Sequence, residues 1–164
     1  MKQSIIIYGG GLAGSQLAHS LQHDADVTLV SPLDYFEIPM ALPRALVEPA
    51  LSERSVIPLA NALPHVRHIQ GKLIKFAAGT GTVETMEGER LAVDGDISVL
   101  ATGSSYANSL TRAQSGTAID RRNALSDFAD RLDQAHKILI VGGGPIGIEL
   151  AGEITQDSPG KEIT

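Results

Sequence analysis

The sequence predicts an α/β protein: a parallel sheet wound with helices, a small antiparallel meander, and the opening of a second parallel fold near the C-terminal end. Three observations carry this. A short apolar, β-branched run, Ser4–Tyr8, leads into a glycine cluster and then a helical stripe. Between about 66 and 93 the pattern changes to short runs divided by hairpin-type turns. A second apolar run and glycine cluster then repeat the opening theme, with first glycines at 9 and 142.

The elements follow in order. After the first glycine cluster, Ala13, Leu17 and Leu21 recur at i, i+4 and i+8, and Asp26–Val30 is the next strand, so residues 4–30 form one βαβ unit. Residues 31–64 hold six of the eight prolines and read as loop with short helices around Arg44–Val47 and Val56–Ala62. The meander comprises Val66–Gln70, Lys72–Phe76, Thr82–Met86 and Arg90–Val93, with turns at Gly79-Thr80-Gly81 and Glu87-Gly88. Ile97–Ala101 is a further strand, closed by Thr102-Gly103. A polar connecting segment leads to a helix over Asn123–His136, spaced by Leu125, Phe128, Ala129 and Leu132. Lys137–Val141 is a strand, a helix carries Ile146, Leu150 and Ile154, and Lys161–Thr164 opens one more strand. The expected division is 1–105, 106–136 and 137–164, the last cut short before its second strand is complete.

Composition narrows the function. A 164-residue chain, 43% hydrophobic and 20% charged, is an ordinary globular composition. The net charge of −6, with no block of Lys and Arg, argues against nucleic acid; Arg121-Arg122 reads as a solvated pair. There is no cysteine, so this chain supplies no disulfide, thiolate metal site or redox thiol pair. The five histidines show no metal-ligand spacing and read as surface residues, and no metal is expected. The opening apolar run is too short for a membrane span.

Gly9-Gly10-Gly11-Leu12-Ala13-Gly14 carries the chemistry. Gly9 permits the tight turn out of the strand, Gly11 lets the backbone approach a pyrophosphate, and Gly14 lets the helix pack on the strand. The helix N-terminus then offers unpaired N–H groups to phosphates. The strand before and the helix and strand after supply the context this motif requires, that of a Rossmann-like dinucleotide fold. Gly142, Gly144 and Gly147 repeat the pattern. The acid expected at the end of the second strand is missing: Ser31 stands there and Asp34 follows three residues on. Either Ser31 makes a neutral hydrogen bond to the ribose, or Asp34 reaches back, or Asp34 merely caps a loop.

Together, Ile6-Ile7-Tyr8 with the first glycines, Val99-Leu100-Ala101-Thr102-Gly103, and Ile140–Ala151 resemble the pyridine-nucleotide-disulfide oxidoreductase superfamily. Asp34-Tyr35-Phe36 and Ala41–Glu48 are similar to its apoptosis-inducing-factor-like, ferroptosis-suppressor branch, plant-type members above all. The resemblance implies an FAD-binding fold followed by an NAD(P)H-binding fold, and electron transfer from NAD(P)H through flavin to a quinone-type acceptor. The lack of Cys agrees, since the disulfide-reducing branch needs a thiol pair. It further implies that Arg44 contacts FAD, the alternative being an exposed salt bridge, that the backbone of Leu73 meets the adenine, a role compatible with a strand-core residue, and that Ala101, Thr102 and Gly103 pass near the flavin. No side chain need act as acid or base. A cytoplasmic protein with peripheral membrane contact for quinone access is expected. Two alternatives stand beside this: a type II NADH dehydrogenase-like flavoprotein, and a non-catalytic fragment whose unfinished sheet edge invites association.

Overall fold

The computed structural model describes residues 2–164 and separates into two compact units. The first runs to Glu37 and resumes over Ile57–Ala118; the second comprises Ile38–Val56 and Ile119–Thr164. In chain order the elements are β1 (Ser4–Tyr8), α1 (Leu12–Leu21), β2 (Asp26–Ser31), β3 (Tyr35–Glu37), α2 (Leu42–Ala45), α3 (Ser52–Ser55), β4 (Val56–Pro58) and α4 (Leu59–Ala62). They continue as β5 (Arg67–Ala77), β6 (Thr80–Thr85), β7 (Arg90–Val93), β8 (Ile97–Leu100), α5 (Ala118–Gln134), β9 (Lys137–Ile138), α6 (Pro145–Asp157) and β10 (Glu162–Ile163).

The first unit is built on one sheet ordered β7-β6-β5-β2-β1-β8. β1 lies next to the edge strand β8, parallel to β2 from Ser4↔Asp26 to Tyr8↔Val30 and parallel to β8 from Ile5↔Ile97 to Tyr8↔Leu100. Successive side chains of β1 point to opposite faces, and both faces are covered, as parallel strands require. On one face Ile5 and Ile7 join Ala18 of α1, Val27, Leu29, Leu59 and Leu63. On the other, Ile6, Tyr8 and Val30 pack with Val83 of β6 and Val93 of β7. Each fully buried side chain of this kind contributes roughly 1.5–3 kcal/mol. Tyr8 also reaches a polar partner: its hydroxyl donates to the Val93 carbonyl at 2.8 Å, and burial pushes its phenol pKa above the usual value.

The meander is antiparallel from Gly71 onward, but the expected run 66–70 is not part of it: its residues pair in parallel with β2. The expected runs 66–70 and 72–76 form the single strand β5, which pairs parallel with β2 as far as Ser31↔Gln70 and antiparallel with β6 from Gly71↔Thr85. Gly71 does not break the strand. A Cβ there would lie 2.7 Å from the Glu84 carbonyl oxygen and 2.8 Å from Val83 Cγ1, so the glycine permits close approach of β6.

Other boundaries move for local reasons. Residues 56–58 are strand and only 59–62 are helical; Pro58 cannot stand inside a helix. α5 starts at Ala118, earlier than the expected Asn123, because Asp34 Oδ1 accepts the Ala118 N–H at 2.7 Å. Arg121-Arg122 is not a solvated pair: Arg121 is 4% exposed, and Arg122 pairs with Glu53 at 3.1 Å and donates to the Val56 carbonyl at 2.8 Å. His68 is likewise half-buried, and burial lowers its imidazole pKa against the opposing charge of Asp34.

In the second unit, β9 and β10 pair in parallel (Lys137↔Glu162, Ile138↔Ile163) and α6 follows the second glycine turn. The expected strand 137–141 is reduced to two residues.

Candidate functional site

The first unit carries a cleft of ≈ 560 Å³ at the carboxyl ends of β1, β2 and β8. From β1 the chain departs to β2 on one side, while β8 returns on the other. Such a reversal of strand order opens a crevice at the strand ends, where doubly wound sheets take their ligands.

The glycine turn forms one wall, and its glycines divide the work. Gly9 has φ +120°, donates its N–H to the Val30 carbonyl at 2.8 Å, and packs so closely that a Cβ would run into the Ala101 carbonyl oxygen. A Cβ on Gly10 would lie 2.7 Å from Ser31 Oγ. One on Gly14 would collide with the Gly9 carbonyl and touch Ile7 Cγ2. Gly11 is different: nothing lies within 4 Å of its Cβ position. It is the N-cap of α1, with no side chain capping the helix, so the first-turn N–H groups beside Leu12 and Ala13 face the cleft. Ser15 secures the turn by donating its hydroxyl to the Gly10 carbonyl at 2.9 Å.

Most of the remaining lining comes from four places. Val30 and Ser31 end β2, with Pro32 and Leu33 after it; Gly71, Lys72 and Leu73 come from β5; Ala101 to Ser105 follow β8. Arg112 to Gln114 complete it. Among the described residues no carboxylate lines the cleft, whereas two cations, Lys72 and Arg112, do. With the positive end of α1, the cleft is polarised for an anion in a chain whose net charge is −6.

The structure thus brings together Gly9, Gly10, Gly11, Leu12, Ala13, Ser31, Leu73, Ala101, Thr102 and Gly103, with Gly14 supporting the turn from behind. Ser31 is 2% exposed and its Oγ accepts the Leu33 N–H at 3.1 Å. Asp34 is absent from the lining; its carboxylate is engaged at the start of α5, which is the loop-capping alternative. Arg44 belongs to the second unit, where its guanidinium donates to Glu48 at 3.0 Å and Glu153 at 2.7 Å. Both groups are therefore already committed to protein partners. Lys72 and Arg112 were missed by the sequence reading. The only signal for Arg112 is that it is the first basic residue after Gly103.

The second unit repeats the turn. Gly142 has φ +116°, Gly144 caps α6, and Gly147 packs on the Gly142 carbonyl and Ile140 Cγ2.

Comparison with known proteins agrees with this geometry. The chain is 36% identical over 166 residues to apoptosis-inducing factor homolog A of Dictyostelium discoideum, covering 98% of this chain and 38% of that protein. It is 31% identical to ferroptosis suppressor protein 1 of Taeniopygia guttata, covering 97% of this chain and 42% of that protein. The chain therefore spans about two fifths of the length of these curated relatives. Among solved structures, NDH2 of Plasmodium falciparum in complex with NADH superposes with a TM-score of 0.71 at 19% identity, over 94% of this chain and 37% of that one. The sulfide:quinone oxidoreductase of Aquifex aeolicus superposes with a TM-score of 0.65 at 20% identity, over 98% of this chain and 42% of that one. These two show the shared fold. The family model for pyridine nucleotide-disulphide oxidoreductases matches residues 3–164, and the chain belongs to that family.

Proposed function

We propose that the cleft of the first unit binds FAD, and that the chain is the dinucleotide-binding front portion of an FAD-dependent NAD(P)H oxidoreductase with a quinone-type acceptor. The observation that carries this is the open Cβ position of Gly11 at the uncapped N-terminus of α1, in a cleft free of carboxylates. A diphosphate needs that combination: close backbone approach, N–H donors and no competing anion.

The residues present fit the group. The first-turn N–H groups after Gly11 would hold the pyrophosphate. Ser31, at the end of β2, would meet the adenosine ribose. The backbone at Leu73 would meet the adenine, and Ala101 to Gly103 would border the flavin side. Bound FAD would supply the hydride-accepting and electron-releasing ring; the chain supplies binding and orientation. The second turn, Gly142 to Gly147, is the proposed nicotinamide-dinucleotide turn. The acceptor assignment rests on the ferroptosis-suppressor resemblance and on the absence of any cysteine in this chain. No helix among the described residues is long and apolar enough to cross a membrane.

The test is titration of the purified chain with FAD, followed by flavin fluorescence and absorbance. Saturable binding at one FAD per chain is expected. Failure to bind FAD at micromolar concentrations would overturn the assignment of the cleft.

A further inference from the structure

Arg112 stands out among the cleft residues because neither the glycine motif nor the strand ends account for it. It lies in a turn held by Asn108, whose carbonyl accepts the Thr111 N–H at 3.2 Å and the Arg112 N–H at 3.3 Å. Asn108 Oδ1 accepts the Leu110 N–H at 2.9 Å, which fixes the turn from the inside. The Arg112 side chain crosses to the residues after β8. Nη1 donates to the Ser104 carbonyl at 2.9 Å and lies 3.4 Å from Ser104 Oγ. The same Nη1 lies 3.9 Å from the Cβ position of Gly103, which has φ +66°.

This placement leaves the charge unanswered. Arginine offers five N–H donors in a planar fork. Ser104 takes Nη1 only, and the Nε and Nη2 positions have no partner among the described residues. Among the described residues no carboxylate pairs with Arg112, although the other half-buried arginines Arg44 and Arg122 each hold a glutamate. Arg112 is half-buried and belongs to the cleft lining. A half-buried guanidinium fixed on one edge, free on the other and lacking a counter-ion is arranged for an anionic oxygen from outside the chain.

The geometry points to Arg112 as a phosphate-binding residue of the cleft, donating to the diphosphate of the bound dinucleotide opposite the N-terminus of α1. This rests on the FAD reading of the same cleft and deepens it. Ser104 is the positioning residue that aims the guanidinium, and the Asn108 turn sets its reach. The segment read as a mere connector thereby supplies a binding group.

The experiment measures FAD and ADP affinity by calorimetry for the wild-type chain and for Arg112→Gln, Arg112→Lys and Ser104→Ala. ADP carries the diphosphate without the flavin. Arg112→Gln is expected to weaken FAD and ADP alike by about tenfold or more, the scale of one charge-assisted hydrogen bond. Arg112→Lys should recover part of the loss by restoring charge without the fork, and Ser104→Ala should cost about twofold to threefold by the same scale. Melting temperatures within a degree or so of wild type show that the fold is intact. Wild-type binding with unchanged affinity in Arg112→Gln would overturn this inference alone. A loss for FAD but not ADP would overturn it too, by moving the contact to the flavin half. Absence of FAD and ADP binding in the wild type would overturn both this inference and the cleft assignment.

Discussion

The two glycine turns have nearly the same backbone and very different surroundings. Gly9 and Gly142 have φ +120° and +116°. Gly11 and Gly144 cap their helices at φ −77°, ψ −167° and φ −77°, ψ 175°. A Cβ on Gly14 or on Gly147 would lie 3.3 Å from the γ-methyl of an isoleucine in the preceding segment, Ile7 and Ile140 respectively. Yet Gly9 is wedged against Ala101 and Gly10 against Ser31, while Gly142 and Gly143 have nothing within 4 Å of their Cβ positions. The strand before the first turn is buried throughout from Ile5 to Tyr8; before the second, Leu139 and Val141 are 72% and 90% exposed. The turn itself is thus specified locally by glycine spacing. The cleft is not: at the first turn it is walled by residues that β2 and β8 bring alongside, Ser31 and Ala101 among them.

That distinction can be broken by paired substitutions. The largest expected effect is at the first glycine. Gly142→Ala carries only the strain of a left-handed residue, about 1–3 kcal/mol. Gly9→Ala adds a collision with the Ala101 carbonyl and is expected to exceed about 4 kcal/mol, the range in which a named packing fault dominates. Urea unfolding of both variants checks this, and equal losses would mean that β8 does not lock the first turn. A second pair separates binding from folding. Gly11→Val should leave the melting temperature unchanged, because the site is open and φ is negative, yet weaken FAD binding by about tenfold or more. Gly144→Val should leave FAD affinity untouched. An equal FAD loss in both would reassign the cofactor site.

The smallest effect concerns pH. His68 is held in its neutral form by burial, so its folded pKa lies below the unfolded value of about 6.5. The unfolded chain then takes up its proton first. Stability from this group is complete above about pH 6.5 and declines as pH falls through the lowered folded value. Replacing His68 by Leu should flatten that part of the stability profile; an unchanged slope would show that other groups carry it.

Much of this was legible in the sequence, and what was not has identifiable causes. β1, α1 and β2 were readable because a β-branched run, a glycine cluster and a 3.6-residue stripe follow one another without a gap. The antiparallel pairing of 71–93 was readable from its turns; the parallel pairing of 67–70 with β2 was not. The continuity of β5 was hidden because Gly71 looks like punctuation in a strand, and only the approach of Glu84 and Val83 explains it. The start of α5 was hidden because its cap, Asp34, is distant in sequence. Arg112 was hidden for a different reason: its partner Ser104 reads as a plain polar residue of a connector until the turn at Asn108 brings the two together.

The position of β8 has a consequence for the order of synthesis. β1 pairs with β2 soon after both are made, but its other neighbour, Ile97–Leu100, emerges only after the whole β5–β7 hairpin system. The Ser4 N–H likewise waits for Asp96, whose carboxylate accepts it at 2.8 Å. A nascent chain that has not reached this point has the glycine turn but no opposite wall, and β1 stands as an open edge able to pair with a stranger. Until Ile97–Leu100 and the residues after it are made, the cleft lacks the wall that Ala101 to Ser105 supply, so the glycine turn alone does not make the site.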